Sequence, residues 1–495
     1  MNSSDMDIKF SPSATQKNIE YGLVQTSAGP KLVIKAPAGC NDLNIFEGES
    51  IHKDNQTILL GPPNKKNASA LRTQLNCLQP QLLGLRTSAG LGDRLGLATP
   101  GHVRAIRKTQ GKVAPIFAQQ SMREMARTGR TPQEVMDDAL WGIFSEGWQE
   151  GFGADADHLK TPEDIDACLA AGFTFYTIDP GAYVDNRAET ASLSELRELA
   201  SLLPVEVQPY ASGLQGSNFI FEGFQVKFNE AILLKAAVKY GQAIAHVASM
   251  YKHLDHAASS RPFELEVSVD ETEQPTTDAE HIYIASELKR LGVKWVSLAP
   301  RYIGRFEKGV DYIGDLRLFE NDFRRHAAIA RQFGPYKLSL HSGSDKFSIY
   351  PIASRLSQGL VHLKTAGTSY LEALRTIASM DVDLFRKIYA FARQHYDTDK
   401  ESYHVSAHIE RAPRLENVTD WPALLNQFDA REILHVTFGS VLTAKDASGD
   451  YQFHEQIFAV LRSNSEAYAA NLEEHFSKHL EPFTNPATKN EKIQP

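Results

Sequence analysis

Cysteine is scarce: the 495-residue chain has three, Cys40, Cys77 and Cys168, far apart and with no C-x-x-C pair. That spacing excludes a disulfide framework and a thiolate zinc site, and it fits a reducing compartment. Long apolar runs are missing too, since none approaches the roughly 18 residues of a membrane span. The opening stretch, MNSSDMDIKFSPSATQKN, has neither a basic n-region nor an apolar h-region, so the expectation is a cytoplasmic protein. Positive charge is in deficit, 52 Lys+Arg against 61 Asp+Glu for a net charge of −9. That balance argues against nucleic acid or an anionic membrane as the principal partner. There is no fixed-period repeat and no low-complexity tract.

What is present is ordinary soluble-protein material, 42% hydrophobic and 23% charged, enough for a large core. Eight short apolar runs recur, each followed by a polar or Gly-rich loop and an amphipathic stretch. They are Gln81–Leu85, Val113–Phe117, a weak Phe152–Ala156, Phe173–Ile178, Phe263–Val269, Lys294–Leu298, Tyr336–Leu340 and Leu360–Leu363. Strand–helix alternation of this kind predicts an α/β fold, a (β/α)8 TIM-type barrel over 81–400. An open doubly wound sheet is the alternative, but no G-x-G-x-x-G follows any run.

Helix starts are marked. Thr131-Pro132-Gln133-Glu134 and Thr161-Pro162-Glu163-Asp164 read as capping boxes, and Gly172 as a C-terminal glycine. Residues 1–80 predict a small β-containing cap with strands at Lys31–Ile34 and Thr57–Leu60. A helical insertion at 192–260 is expected to cover part of the barrel mouth or a subunit interface. The C-terminal extension, 401–495, is expected to hold a strand at Glu432–Phe438, a helix near Gln452–Phe476 and a frayed end.

In such a barrel chemistry sits at the carboxyl ends of the strands. Asp155, Asp157 and His158 fall within four residues of the third run, as a metal or acid/base cluster or as helix-dipole decoration. FELEVSVDET, residues 263–272, alternates strictly, so Glu264, Glu266, Ser268 and Asp270 share one face. Inward carboxylates are expensive unless compensated. Glu264, lower in the strand, fits an ion pair, and Glu266 and Asp270 fit function. His341 and His362 each end an apolar run. Either alone is a core histidine, but with His158 they point to a divalent metal site. Ser88–Gly96 with Arg94 reads as an anion cradle or a tight turn. Gln119, Gln120 and Arg123 read as contacts for sugar hydroxyls and a carboxylate, or as a solvated helix start. His404, His408 and His435 are left open between pocket and surface.

SAGLGDRLGLATPGH (88–102), FAQQSMREMARTGRTPQEV (117–135), FGADADHLKT (152–161), FELEVSVDET (263–272) and LSLHSGSDKFSIYP (338–351) occur in that order. With these motifs the chain resembles the bacterial tagaturonate/fructuronate epimerases of hexuronate catabolism over most of residues 80–440. The resemblance implies a metal-dependent isomerase acting on a small ketouronate. It implies one divalent cation (Zn, Mn, Ni, Co or Fe) on His158, His341 and His362. Asp157 and Glu266 are then the acid/base carboxylates, with Asp270 as helper. Gln120, Arg123, Arg94 and Lys364 would bind the substrate, one of the three cations holding its carboxylate. A homo-oligomer is compatible with this reading. A metal-dependent aldolase of a related sugar acid and a non-catalytic sugar-acid sensor are the alternatives.

Overall fold

The computed structural model describes residues 10, 13–26, 29–341, 345–365 and 367–484. The first segment folds as an antiparallel sheet of β1 (Ala14–Gln16), β2 (Ile19–Thr26), β3 (Gly29–Pro37), β4 (Glu49–Lys53) and β5 (Gln56–Gly61), in the order β1-β2-β3-β5-β4. Both expected cap strands lie inside it, within β3 and β5. Tyr21, Leu32, Val33, Ile34 and Leu59 are buried in it. β2 and the following helix Lys65–Gln74 contact helix Pro132–Ser145.

Eight parallel strands then close into a barrel: β6 (Ser88–Gly90), β7 (Ala114–Ser121), β8 (Gly153–Leu159), β9 (Phe175–Ile178), and, after the hairpin β10 (Asn218–Phe221) and β11 (Phe224–Lys227), β12 (Glu264–Ser268), β13 (Ser297–Ala299), β14 (Lys337–Leu340) and β15 (Val361–Lys364). β15 pairs with β6, which completes the ring. The expected capping boxes are present: Thr131 and Thr161 accept from the amides of Glu134 and Asp164, and Gly172 adopts φ 92° at the helix end. In helix Asp278–Arg290, Ile284 and Leu288 face the core. Between β9 and β12 the insertion contributes helix Glu230–Ala258, 29 residues long. It packs against helices Pro162–Ala171 and Asp278–Arg290, so it belongs to the outer ring rather than the mouth.

The first strand is displaced from its expected place. Gln81–Leu85 is not extended pairing backbone; β6 begins at Ser88. The apolar run instead crosses the amino-terminal floor of the barrel, with Leu83 buried against Ala114, Ile116 and Phe175. The carboxylate of Glu264 points down onto it, accepting from the Leu83 amide at 3.0 Å and from the Gly84 amide. Glu264 is thus an anchor for backbone, where an ion pair was expected.

The C-terminal extension is helical. Glu432–Phe438, expected as a strand, is helical instead: Gln427 caps helix Phe428–Val436 by accepting from the Ala430 amide. Both Glu432 and His435 are buried on it. Helices His454–Ser463 and Ser465–Thr484 follow, and the last ten residues lie outside the described ones. Among the described residues no helix is long and apolar enough to cross a membrane.

The extension is tied down by a buried carboxyl pair. Glu307 accepts from Ser406 N at 2.8 Å, and Glu432 from Ala407 N at 2.9 Å and Ser406 N at 3.2 Å. Burial and the neighbouring Glu307 push the Glu432 carboxyl up to about 8. The folded state therefore holds a proton that an ordinary unfolded glutamate has released, so stability is present at low pH and falls as pH rises toward 8. Glu432→Gln should match the wild-type melting temperature near pH 5 and exceed it by a few degrees near pH 8.5. Parallel thermal melts across that range are the check, and equal slopes for both proteins would refute the shared proton.

Candidate active site

Strand periodicity aims one set of side chains at the barrel axis: Asp155 and Asp157 from β8, Thr177 from β9, Glu266 and Ser268 from β12, Lys364 from β15. All are buried. Their centre is the Lys364 ammonium, whose Nζ lies 2.7 Å from Asp157 Oδ1, 2.9 Å from Asp155 Oδ2, 2.9 Å from Glu266 Oε1 and 2.5 Å from Thr177 Oγ1. One cation thus serves three carboxylates, an arrangement that water would not need and an apolar core would not tolerate. Burial favours the neutral amine, but the three carboxylates outweigh it and hold Lys364 well above the ordinary lysine range. Burial likewise opposes the charge on Asp157, yet His158 and Lys364 keep its carboxyl well below the usual range. Asp155, deepest of the three, is pushed up to about 6 by burial and by its neighbours Asp157 and Glu266, with Lys364 opposing.

Above this layer His341 follows β14. Its Nε2 is 2.6 Å from Glu266 Oε1, and its Nδ1 is 3.3 Å from Asp270 Oδ1 and 3.2 Å from Ser268 Oγ. Burial favours the neutral ring, but Asp270 and Glu266 raise His341 to about 10. His158 would face outward if β8 ran regularly. Instead the pairing with β9 slips between Ala156 and Leu159, and His158 takes φ 54°, a left-handed conformation rare outside glycine. That bulge swings its ring inward, with Nδ1 2.7 Å from Asp157 Oδ1 and the ring centroid 5.1 Å from that of His341. Backbone strain at a pocket residue of this kind is the sort kept for function.

Ligand atoms of His158, Asp270 and His341 lie within 4.8 Å of one another. Two imidazoles and a carboxylate are a donor set for a first-row divalent cation. The surroundings agree, because carboxylates of Asp157, Glu266 and Asp270 flank the two rings and call for positive charge between them. His362 does not join this group. It sits lower on β15, with Nδ1 2.9 Å from Ser88 Oγ and its ring 5.3 Å from Phe175. Burial lowers His362 to about 3, as for a neutral core histidine. Asp270, expected as a proton-transfer helper, stands among the candidate ligands instead. A second group, Asp345, His475 and His479, also gathers within 4.8 Å. Its atoms are engaged, however: Asp345 pairs with Arg431 at 2.5 Å and His475 at 2.6 Å, and His479 accepts from the Asp345 amide at 2.9 Å.

The pocket above is walled by Arg94, Ser121, Arg123, Glu124, Lys308 and Tyr403, with Asp157, His158, His341 and Lys364 at its floor. Glu266 is not exposed to it; it lies beneath His341 and Lys364. Lys364, expected among the carboxylate-binding cations, already carries three carboxylates. Arg94 is likewise committed to Glu124, Nε at 2.8 Å and Nη2 at 2.6 Å, and its guanidinium lies 3.7 Å over Phe438. After β6 the Ser88–Gly96 segment turns tightly, and the amides of Leu95, Gly96 and Ala98 are taken up by Asp93. Gln120 faces away, accepting from Arg130 at 2.8 Å, whereas Gln119, one residue earlier, donates to Asp157 Oδ2 at 3.0 Å. Arg123 stands at the rim, its side chain 39% exposed and 3.5 Å from Glu271. His404 and His408 are exposed. His435 is buried, its backbone oxygen accepting from Arg94. Asp155, singled out with Asp157 and His158, lies in this layer, and of the two glutamines Gln119 is the inward amide, as strand periodicity places it. Sequence patterns missed the wall residues Lys308 and Tyr403, which come from a loop and the extension, where no period exists.

Residues 11–483 match a family model described as tagaturonate epimerase. The tagaturonate/fructuronate epimerase of Thermotoga maritima is 42% identical over 469 residues, 94% of each chain. A glycerol-complexed crystal structure of fructuronate-tagaturonate epimerase from Cohnella laeviribosi superposes with a TM-score of 0.89 at 37% identity, covering 95% of each chain. The native crystal structure of that enzyme gives 0.88 over 94% of each.

Proposed function

The chain belongs to the tagaturonate epimerase family, and from that footing we propose that it interconverts D-tagaturonate and D-fructuronate with the help of one divalent cation. The observation that supports this best is the Asp157–Lys364 pair at the pocket floor beside the His158–Asp270–His341 group. The two ketouronates differ at the carbinol β to the ketone, carbon 4 in ketose numbering. Its C–H is not acidified by the carbonyl, so enolisation alone cannot invert it. Cleaving the bond between carbons 3 and 4, turning the aldehyde and re-forming the bond can.

His158, Asp270 and His341 would hold the cation, which when bound supplies a Lewis acid for the charge that gathers on the ketone oxygen. Asp157, ionised at the pocket floor, accepts the proton of the carbon-4 hydroxyl as the bond breaks. The electron pair of that bond passes to carbons 2 and 3, leaving an enediolate and a three-carbon aldehyde acid. The aldehyde turns about its bond to carbon 5, and carbon 3 adds to its other face. Lys364 then donates a proton to the new carbon-4 alkoxide, a base strong enough to take one from a lysine. Asp157 returns its proton to Lys364 across their 2.7 Å contact, and the cycle closes. Glu266, from beneath, keeps Lys364 charged and orients the His341 ring. The second proton-handling group at the pocket is therefore Lys364 rather than Glu266. Arg94, held by Glu124, borders the sugar hydroxyls, Gln119 orients Asp157 from behind through its hydrogen bond, and Arg123 faces the substrate carboxylate.

Proton NMR of purified protein with D-tagaturonate in D2O tests the reading. Fructuronate without deuterium at carbon 4 is the expected product. Accumulating three-carbon fragments would indicate an aldolase, and binding without turnover under every metal a sensor.

A further inference from the structure

A ketouronate brings a carboxylate into the pocket, and the wall that would receive it carries Arg94, Arg123 and Lys308 above the Lys364 floor. Lys308 stands in the same pocket wall, on the loop after β13. The backbone on both sides of it is stapled by buried cations. Lys346 Nζ donates to Glu307 O at 2.8 Å and to Val310 O at 2.5 Å, and Arg431 Nε donates to Gly309 O at 2.5 Å. Arg431 comes from the C-terminal extension and has its other nitrogens on Leu425 O at 2.8 Å and Asp345 Oδ2 at 2.5 Å. Gly309 has φ 76°, and a side chain there would meet the His435 ring at 3.1 Å, so the extension packs directly on this turn. A planar five-donor guanidinium that is 8% exposed and pinned at three points is a rigid strut.

We infer that Lys308 is the specificity-determining cation for the substrate carboxylate and that Arg431, through the Gly309 carbonyl, is its positioning residue. The inference rests on the ketouronate reading above and adds to it the anchor that reading needs. During the proposed reaction the bond between carbons 3 and 4 is open. The distal three-carbon piece is then held only by its carboxylate end, and a charged anchor across the pocket keeps it from leaving. Arg123 on the rim, with Tyr403 5.4 Å from its guanidinium, is the second member of that anchor. Preference for acids over neutral ketoses is thus built by the extension.

The test compares Lys308→Met, Lys308→Arg, Arg431→Met and Arg431→Lys with the wild type. Turnover of D-tagaturonate is measured together with thermal-shift titration by D-galactonate, an unreactive six-carbon sugar acid, and by neutral D-tagatose. Lys308→Met and Arg431→Met should raise KM and weaken galactonate binding about 10- to 100-fold, and should leak three-carbon fragments during turnover. Tagatose binding should move by less than about twofold on the same scale. Lys308→Arg should retain most of the galactonate affinity, and Arg431→Lys should fall between wild type and Arg431→Met. Should Arg431→Met fail to fold, Arg431→Lys reads the strut and Lys308→Met the cation. Equal weakening of both ligands, or unchanged galactonate binding in Lys308→Met, overturns the inference. Galactonate affinity that depends on Lys308, without any turnover of tagaturonate by the wild type, would uphold the anchor and reject the reaction.

Discussion

Lys364→Met should reduce turnover of D-tagaturonate by about 10³- to 10⁴-fold. The substitution keeps an unbranched side chain one atom shorter and removes its charge. Three buried carboxylates, Asp155, Asp157 and Glu266, then face one another without the ammonium that lies within 2.9 Å of each. An uncompensated buried charge costs several kcal/mol, so the protein would take up protons. Asp155, already raised to about 6, would be the first to stay protonated. Two effects are therefore superimposed, loss of the proton donor and loss of stability. The double variant Lys364→Met with Asp155→Asn separates them: removing one carboxylate along with the ammonium should recover much of the melting temperature while turnover stays low. Asp157→Asn should show a comparable loss of turnover. Glu266→Gln, acting from outside the pocket, should lose less, about 10²-fold. If Lys364→Met and Asp157→Asn both retain near-normal turnover, the proton-transfer assignment is wrong.

Removal of divalent metal by chelation should abolish turnover as completely, and re-addition should restore it. Metal analysis of the loaded protein should give one equivalent per chain. His341→Ala and His158→Ala should lose that equivalent. His362→Gln should keep it, because its ring sits lower, beside Ser88 and Phe175 and away from His158 and Asp270. His475→Gln should keep it as well, since Asp345 is already paired with Arg431. Without metal the carboxylates around them hold His341 at about 10 and raise His158 from its ordinary value. Binding at neutral pH then displaces the His341 proton and whatever proton His158 holds, so affinity should rise with pH. Calorimetry in buffers of different ionisation enthalpy counts those protons. A second equivalent of metal lost in His475→Gln would move the metal chemistry to the extension.

Most of the barrel could be read in advance because parallel strands buried on both faces give dense apolar runs, and seven of the eight runs coincide with strands. The eighth failed for a physical reason. β6 is Ser88-Ala89-Gly90, too small and too short to stand out, whereas of the apolar run Gln81–Leu85 nearby only Leu83 is buried, in the barrel floor. Glu432–Phe438 is a short, largely apolar run that reads like a strand, but a capped helix buried on all sides satisfies the same residues. At the site, strict alternation exposed Glu266, and the same rule applied to β8 and β7 would have chosen Asp155 and Gln119. His158 broke the rule through a bulge at a non-glycine residue, which no local pattern announces. Its proximity to Asp157 in the chain was the only clue. Lys308 and Tyr403 could not be found because what places them is contact between segments distant in sequence.

Helix Thr99–Lys108, the first of the barrel ring, lies against Ser465–Thr484 at the other end of the chain. The approach is so close that a side chain at Gly101 would collide with Leu472 and the Ala469 carbonyl. About 370 residues are made between these two surfaces, which takes roughly 20 to 70 s at ordinary rates of synthesis. Throughout that interval the nascent barrel carries an uncovered seam beside its earliest helix. The last helix is the closing stave, and ribosome-bound chains that have not yet released it should depend on chaperones in a way that finished molecules do not.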